Sequence, residues 1–216
     1  LINENWNGLN ILVQNASTVG LLDLKILQDK KEKSSSFFND LKNRKFKLLY
    51  LLGSDNLEFQ KNDEFIVYQG SHGDRGAEIA DLIFPSATYT EQNGLYENLE
   101  GRIQEGKKAS YPIGEALEDW KIFNRIIKKL GFKDKTANFD ELRKEVLEIV
   151  PNFSEINELP KKSVIKTNNI ETDFFNEKIF VRELDYYYTN SISRSSKTMS
   201  ECRQIRQKIK KDGTNN

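Results

Sequence analysis

An open α/β fold with a parallel sheet, added helices and an extended C-terminal segment is what this 216-residue chain predicts. Three observations carry that class. Phe46–Leu52 (FKLLYLL) and Phe65–Gln69 (FIVYQ) are short apolar runs, each followed by glycine, as buried parallel strands ending in ligand-side loops read. A third run, Asp81–Phe84, is stopped by Pro85. Only short crossovers separate the three, with a brief helical piece around Ala77–Ala80. That arrangement reads as part of a doubly wound, Rossmann-like sheet. A small mixed sheet is the alternative.

The other elements follow in chain order. Asn7 is placed to cap a helix with Leu9, Leu12, Val13, Ala16 and Val19 on one face, stopped by Gly20. Leu21–Leu27 docks its exit. KKEKSSS at Lys30–Ser36 is a polar connector, and seven basic residues against two acidic ones between Lys30 and Lys47 read as a solvated surface. Ser36–Arg44 predicts a short helix resting on Phe37, Phe38 and Leu41. Glu91-Gln92-Asn93-Gly94 holds the chain's strongest turn dipeptide, and the LYENLEGRIQ that follows predicts extended backbone or a hairpin arm.

Two longer helices come next. Gly114–Leu130 sets Leu117, Trp120, Phe123, Ile126, Ile127 and Leu130 on one face, with Gly131 at its end. Asn138–Val150 opens with Asn138 and Glu141 in capping-box spacing, turns Leu142, Val146 and Ile149 inward and stops at Pro151. From Pro151 to Glu183 the chain is polar and poor in period, which predicts an extension wrapping a neighbour or disorder. The basic RQIRQKIKK after Cys202 reads as a frayed tail. The domain reading is therefore an α/β domain over 1–150 and an extended segment over 151–216.

Composition limits the function. Thirty-three Lys and Arg balance thirty-three Asp and Glu, so no global field draws the chain to nucleic acid or an anionic membrane. With Cys202 and His72 the single residues of their kinds, no disulfide, ordinary iron–sulphur cluster or structural zinc site forms within the chain. No run approaches the roughly 20 apolar residues of a membrane span, and LINENWNGLN does not resemble a signal peptide. The start at Leu is what a fragment or processed product shows.

Gly70, Gly73 and Gly76 imitate a nucleotide loop, where glycines let a pyrophosphate approach backbone N–H groups at a helix start. Their spacing is G-x-x-G-x-x-G instead of G-x-G-x-x-G, the helix behind them is at most about two turns long, and no acid is placed for a ribose. His72 beside Asp74 invites acid–base or metal chemistry, but no Ser or Cys nucleophile pattern accompanies it. Glu91, Glu97 and Glu100 flank a turn and read as solvated or anchoring. No catalytic, cofactor-binding or metal-ligating set emerges.

The same stretch carries a resemblance. Val67-Tyr68-Gln69-Gly70-x-His72-Gly73-Asp74 is followed by Ala80-Asp81-x-Ile83-x-Pro85, Tyr89-Thr90-Glu91 and Asn98-x-Glu100-Gly101-Arg102-x-Gln104. In that order they closely resemble the C-terminal region of the large iron–sulphur subunit (the G subunit in bacteria) of respiratory complex I, within the molybdopterin-oxidoreductase superfamily. Asn10-Ile11-Leu12, Leu51-Leu52-Gly53-x-Asp55 and Glu118-Asp119-Trp120-Lys121-Ile122 match further out. Tyr188-Thr189-Asn190-Ser191-Ile192-Ser193-Arg194-x-Ser196-x-Thr198-Met199-x-x-Cys202 resembles the C-terminal signature of the mitochondrial and alphaproteobacterial branch. Residues 155–183 are not matched and 30–45 only loosely.

The resemblance implies a sheet of the molybdopterin-oxidoreductase type without pterin, molybdenum or turnover of its own. Gly70, His72, Gly73, Asp74 and Gly76 would be a vestigial loop. It implies iron–sulphur clusters on upstream domains or a partner chain, and a subunit split in two would explain the short length. Expected partners are the other peripheral-arm subunits of NADH:quinone oxidoreductase, at the matrix side of the mitochondrial inner membrane or the cytoplasmic face of a bacterial one. The rival is a fragment of an active molybdopterin-dependent oxidoreductase whose Gly70 loop still meets a pterin phosphate.

Overall fold

The structure, a computed structural model, describes residues 2–3, 6–7, 12–13, 15–26, 39–54, 60–133, 136, 138–159 and 185–213. In chain order the elements are β1 (Ile2–Asn3), β2 (Trp6–Asn7), α1 (Thr18–Asp23), β3 (Leu48–Leu52), β4 (Phe65–Gly70), α2 (Arg75–Glu78) and β5 (Leu82–Pro85). Then follow β6 (Gly94–Glu97), β7 (Ile103–Gly106), α3 (Asp119–Lys129), α4 (Phe139–Ile149), a 3-10 turn (Pro151–Ser154), α5 (Ser191–Ser195) and α6 (Lys197–Gly213). Contacts divide the chain into two units, each drawn from two stretches: Leu1–Lys45 with Ser86–Asn168, and Phe46–Pro85 with Asn169–Asn216. The sequence reading draws its single boundary at residue 150 instead.

The second unit holds the sheet. Its order is β3-β4-β5, and both pairings are parallel, Leu48 opposite Phe65 and Val67 opposite Leu82. The α/β class and the three parallel strands are as expected, and the mixed sheet is not formed. β4 is central, so Ile66, Val67, Tyr68 and Gln69 are all buried. The buried Gln69 side chain accepts the Tyr50 hydroxyl proton, as an amide withdrawn from water requires. β3 alternates, burying Leu49 and Leu51 and exposing Leu48 and Leu52. β5 departs from the buried strand expected: Leu82 and Ile83, whose side chains point to opposite faces, are both exposed, so neither face of this edge strand is well covered. Pro85, opposite Gly70, is the last residue of that edge strand, a position where sheets tolerate proline.

The first unit is built on an antiparallel hairpin, β6 with β7, whose core joins Ile103, Val150 and Phe153 to Leu24, Leu95, Val146 and Leu147. Asn93-Gly94 does not make its turn. The turn is Asn98–Arg102, where Asn98 Oδ1 accepts from the N–H groups of Glu100 and Arg102 and Gly101 takes φ +79°.

Both longer helices form, slightly shortened. Asn138 caps α4 by accepting from Glu141 N at 3.0 Å, and Gly131 closes α3 at φ +82°. Within α4 it is Val146 and Leu147 that reach the core, while Ile149 is exposed. Leu117 precedes α3 and bridges to Ser86, and Leu130 is exposed.

The helix expected from Asn7 is not formed. Asn7 lies in β2, Leu12 and Val13 are non-helical, and α1 starts only at Thr18 with Gly20 inside it. Its apolar spacing is too short and exposed at Leu12 to hold a helix without packing. Helix is present at 39–42 with Leu41 buried, whereas Phe37 and Phe38 lie outside the described residues. After Pro151 the chain first returns to the hairpin: Ile156 bridges Ile103, and Asn157 N donates to Ile103 O at 2.7 Å. Residues 160–184, most of the expected extension, lie outside the described residues.

Candidate functional site

The glycine loop is shaped by Tyr68. This residue points off the central strand, is almost fully buried, and its hydroxyl donates to His72 O at 3.1 Å. A Cβ built on Gly70 would lie 2.2 Å from that hydroxyl, and one on Gly76 would lie 2.7 Å from two ring carbons and 2.9 Å from Ser54 O. Gly70 and Gly76 are therefore glycine because a phenol ring fills the space beside them. At Gly73 nothing stands within 4 Å.

The helix start behind the loop already carries an anion. Asp74 caps α2, its Oδ1 accepting from Arg75 N at 2.8 Å. Its Oδ2 accepts from Arg194 Nε at 2.5 Å. Burial works against the Asp74 charge, but the Arg194 guanidinium and the Arg75 N–H outweigh it and hold its pKa below the usual carboxylate value. Arg194 is placed by a capping box: Asn190 accepts from Ser193 N at 2.8 Å, and Ser193 Oγ accepts from Asn190 N at 3.0 Å. His72 meets Ser71 Oγ through Nδ1 at 2.9 Å, a neighbour contact at the surface.

Of the sequence-singled residues, Gly70, Gly76 and His72 meet Tyr68, Asp74 instead pairs with Arg75 and Arg194, and Gly73 stands open. The three glutamates do not form one set. Glu91 accepts from Thr88 N, and Glu100 meets Asn98 and Arg102 at the hairpin turn. Glu97 is buried on β6, where burial and then the Asp23 carboxylate push its pKa up to about 7. Among the described residues, no three His, Cys, Asp or Glu side chains gather to hold a metal ion. No described helix is long and apolar enough to cross a membrane.

Tyr68, Arg194 and Glu118 were not singled out as site residues by chemistry, although each sits in a quoted motif. Glu118 is buried and accepts from Trp120 Nε1, Lys121 Nζ and Lys108 Nζ at 2.8, 3.2 and 3.3 Å. Asp81 joins β5 to the start of β4, accepting from Ile66 N at 2.8 Å and Lys61 Nζ at 2.5 Å. Arg102 Nη1 donates to Asn157 O at 2.8 Å. Each motif element thus closes a local join in the fold.

Residues 1–129, which include this parallel sheet and its strand–glycine loop–helix unit, match the family model of molybdopterin oxidoreductases. The chain belongs to the molybdopterin oxidoreductase family. Residues 155–202 match the C-terminal model of the NADH-ubiquinone oxidoreductase G subunit. The chain is 40% identical to the NADH-ubiquinone oxidoreductase 75 kDa subunit of Reclinomonas americana, over 94% of this chain and 29% of that protein. It is 37% identical to the NADH-quinone oxidoreductase G subunit of Rickettsia bellii, over 99% of the chain and 30% of the relative. The mitochondrial 78 kDa subunit of Neurospora crassa NADH-ubiquinone oxidoreductase is 37% identical, over 93% and 27%. The chain thus spans under a third of the length of these relatives, and the resemblance read from the motifs is borne out.

Proposed function

We propose that this chain is a structural part of the large-subunit body in the peripheral arm of NADH:quinone oxidoreductase, supporting electron transfer without a redox centre of its own. Iron–sulphur clusters would sit on other domains or chains of the same subunit. Similarity to the 75 and 78 kDa subunits and to the bacterial G subunit supports membership of that complex. In this reading the chain works at the matrix side of a mitochondrial inner membrane or the cytoplasmic face of a bacterial one.

The observation that carries the non-catalytic role is the Tyr68 ring standing against Gly70 and Gly76. The loop does not fit a pterin phosphate. Its glycine side is filled by the ring, and the N–H of Arg75 at the helix start already serves the Asp74 carboxylate, which repels a second anion.

Affinity purification of the chain from its own cells, with subunit identification and metal analysis, tests this reading. Co-purification with NADH:quinone oxidoreductase subunits and no stoichiometric molybdenum is expected. Molybdenum bound one-to-one with this chain would overturn it. In the assembled complex, His72→Ala should keep near-normal NADH:quinone turnover, and a large loss with assembly intact would count equally against it.

A further inference from the structure

Glu97 is a buried acid with another acid for a partner. Its side chain lies on β6 with 7% of its surface exposed, and no donor among the described residues serves its Oε2. A buried carboxylate without an N–H or cationic partner is costly. What faces it is the carboxyl of Asp23, the last residue of α1, itself at the surface. Two carboxyls hydrogen-bond only through a proton that one of them carries. Among the described residues no third His, Cys, Asp or Glu joins them to complete a metal site.

The surrounding elements leave this pair to itself. Neither the rest of α1 nor the 3-10 turn Pro151–Ser154 holds an ionisable residue. On β7, Ile103 stands opposite Glu97, while Glu105 meets Arg143 at 3.3 Å and Arg102 donates to Asn157 O. On α4, Glu145 accepts from Thr136 Oγ1, and Lys144 and Glu148 are exposed. Little else holds α1 in place. It has no side-chain cap, and none of its residues is buried. Gly20 lies over the Glu97 side chain: a Cβ built there would stand 3.8 Å from Glu97 Cβ, 3.9 Å from its Oε2 and 3.8 Å from the Phe153 ring. Leu24 packs against the hairpin core just past the helix. Lys25 then leaves at φ +59°, a left-handed conformation that strains a residue with a Cβ.

We propose that Glu97 and Asp23 form a proton-operated latch: one shared proton fastens α1 to the hairpin, and α1 detaches from β6 when that proton is lost. Protonated, Glu97 donates to the Asp23 carboxylate. Deprotonated, it gives its proton to water, and two like charges face each other where burial already disfavours charge. Burial and then Asp23 raise the Glu97 pKa to about 7, which sets the working range at neutrality. The closed state binds the proton more tightly than the open one. Closure is therefore complete at acid pH and weakens as pH rises through about 7. Opening uncovers the Phe153 ring that Gly20 covers. The latch rests on this geometry alone and not on the function proposed above.

Hydrogen exchange of the full chain, followed by NMR across neutral pH and corrected for intrinsic rates, tests the latch. The amides of Leu24, Lys25 and Ile26 donate to the carbonyls of Gly20, Leu22 and Leu21. Their protection should fall on the order of tenfold from neutral to mildly alkaline pH. Leu130 N and Val150 N, bonded to Ile126 O and Val146 O, should keep theirs. Glu97→Gln retains a donor toward Asp23 at every pH, so α1 should stay protected throughout. Asp23→Asn changes a surface residue, removes the facing charge and should shrink the step. Equal loss at all five amides, no loss at α1, or a step that survives Glu97→Gln would overturn the latch. Recovery of α1 protection at alkaline pH on adding Mg²⁺ or Ca²⁺ would also overturn it, by making the pair a cation site.

Discussion

Arg194 Nε donates to Asp74 Oδ2 at 2.5 Å across 120 residues of chain. The two residues come from two separate motifs, the glycine loop and the C-terminal signature, and both side chains are mostly sheltered from solvent. The segment that follows the undescribed stretch 160–184 is thereby fastened to the parallel sheet. The clasp completes the anion cap of α2 and does not open toward a ligand.

That clasp should be measurable by a double-mutant cycle. Arg194→Ala and Asp74→Ala, each read by thermal unfolding, should couple by about 1–2 kcal/mol. A single variant should lower Tm by several degrees, since 1 kcal/mol corresponds to about 2–4 °C at this size. Asp74 has a folded pKa below its unfolded one, so its contribution is full above the unfolded value and is lost as pH falls through the folded value. Arg194→Ala should flatten that acid limb. Strict additivity of the two variants would rule the clasp out as an energetic unit.

The glycines of the loop should differ sharply from one another. Gly70→Ala and Gly76→Ala press a methyl group into Tyr68, and at Gly76 also toward backbone, and each should cost about 1–3 kcal/mol. Gly73→Ala meets open space and should stay within about 0.5 kcal/mol of wild type. Tyr68→Leu should reduce the Gly70→Ala penalty when the two are combined. Chemical denaturation of the four single variants and the Tyr68→Leu/Gly70→Ala combination checks the ranking, and a Gly73 variant as damaged as the others would contradict it.

Glu97 should give the first unit a pH dependence around neutrality. Its folded pKa, raised to about 7, lies above the unfolded value, so the folded state binds the extra proton between the two. Its own contribution is then full below the unfolded value and is lost as pH rises through this window. Glu97→Gln should remove the decline and stabilise the chain at pH 8 by about 1–3 kcal/mol. Asp23→Asn should lower the midpoint of the Glu97 titration, followed by carboxyl NMR. An unchanged pH–stability curve in Glu97→Gln would refute the assignment.

Glu118 should be a point of failure for the start of α3. Burial works against its charge, but the indole N–H of Trp120, Lys121 and Lys108 hold its pKa below the usual value. Glu118→Ala leaves the part-buried Trp120 indole N–H without its acceptor and should cost about 1–3 kcal/mol. Glu118→Gln keeps one acceptor and should cost less. Tryptophan emission during unfolding distinguishes them, and equal losses would argue against the hydrogen bond as the cause.

Much of the fold was legible because its signals are local. The runs ending at Gly53 and Gly70, the Asn138 cap and the Gly131 stop act within a few residues, so composition and spacing disclose them. The Asn7 helix was misread because its apolar spacing spans segments that β2 and an exposed, non-helical Leu12 break up. Asn93-Gly94 has the composition of a hairpin turn, yet Asn98 and Gly101 make it, since Asn98 Oδ1 satisfies two N–H groups at once. The frayed basic tail became a helix because three tyrosines pack against it from outside its own span.

The sequence alone determined the parallel strands, the helix caps and the family, since strand hydrophobicity, cap chemistry and motif order are all properties of short stretches. It also showed that G-x-x-G-x-x-G departs from a dinucleotide loop. Only the tertiary structure shows what stands beside the loop. Whether Gly70 and Gly76 stand beside open space or beside a ring depends on where Tyr68 falls. Whether Asp74 caps, ligates or catalyses depends on an arginine 120 residues away. Charge pairing and ring packing are set by three-dimensional proximity, which no local spacing encodes.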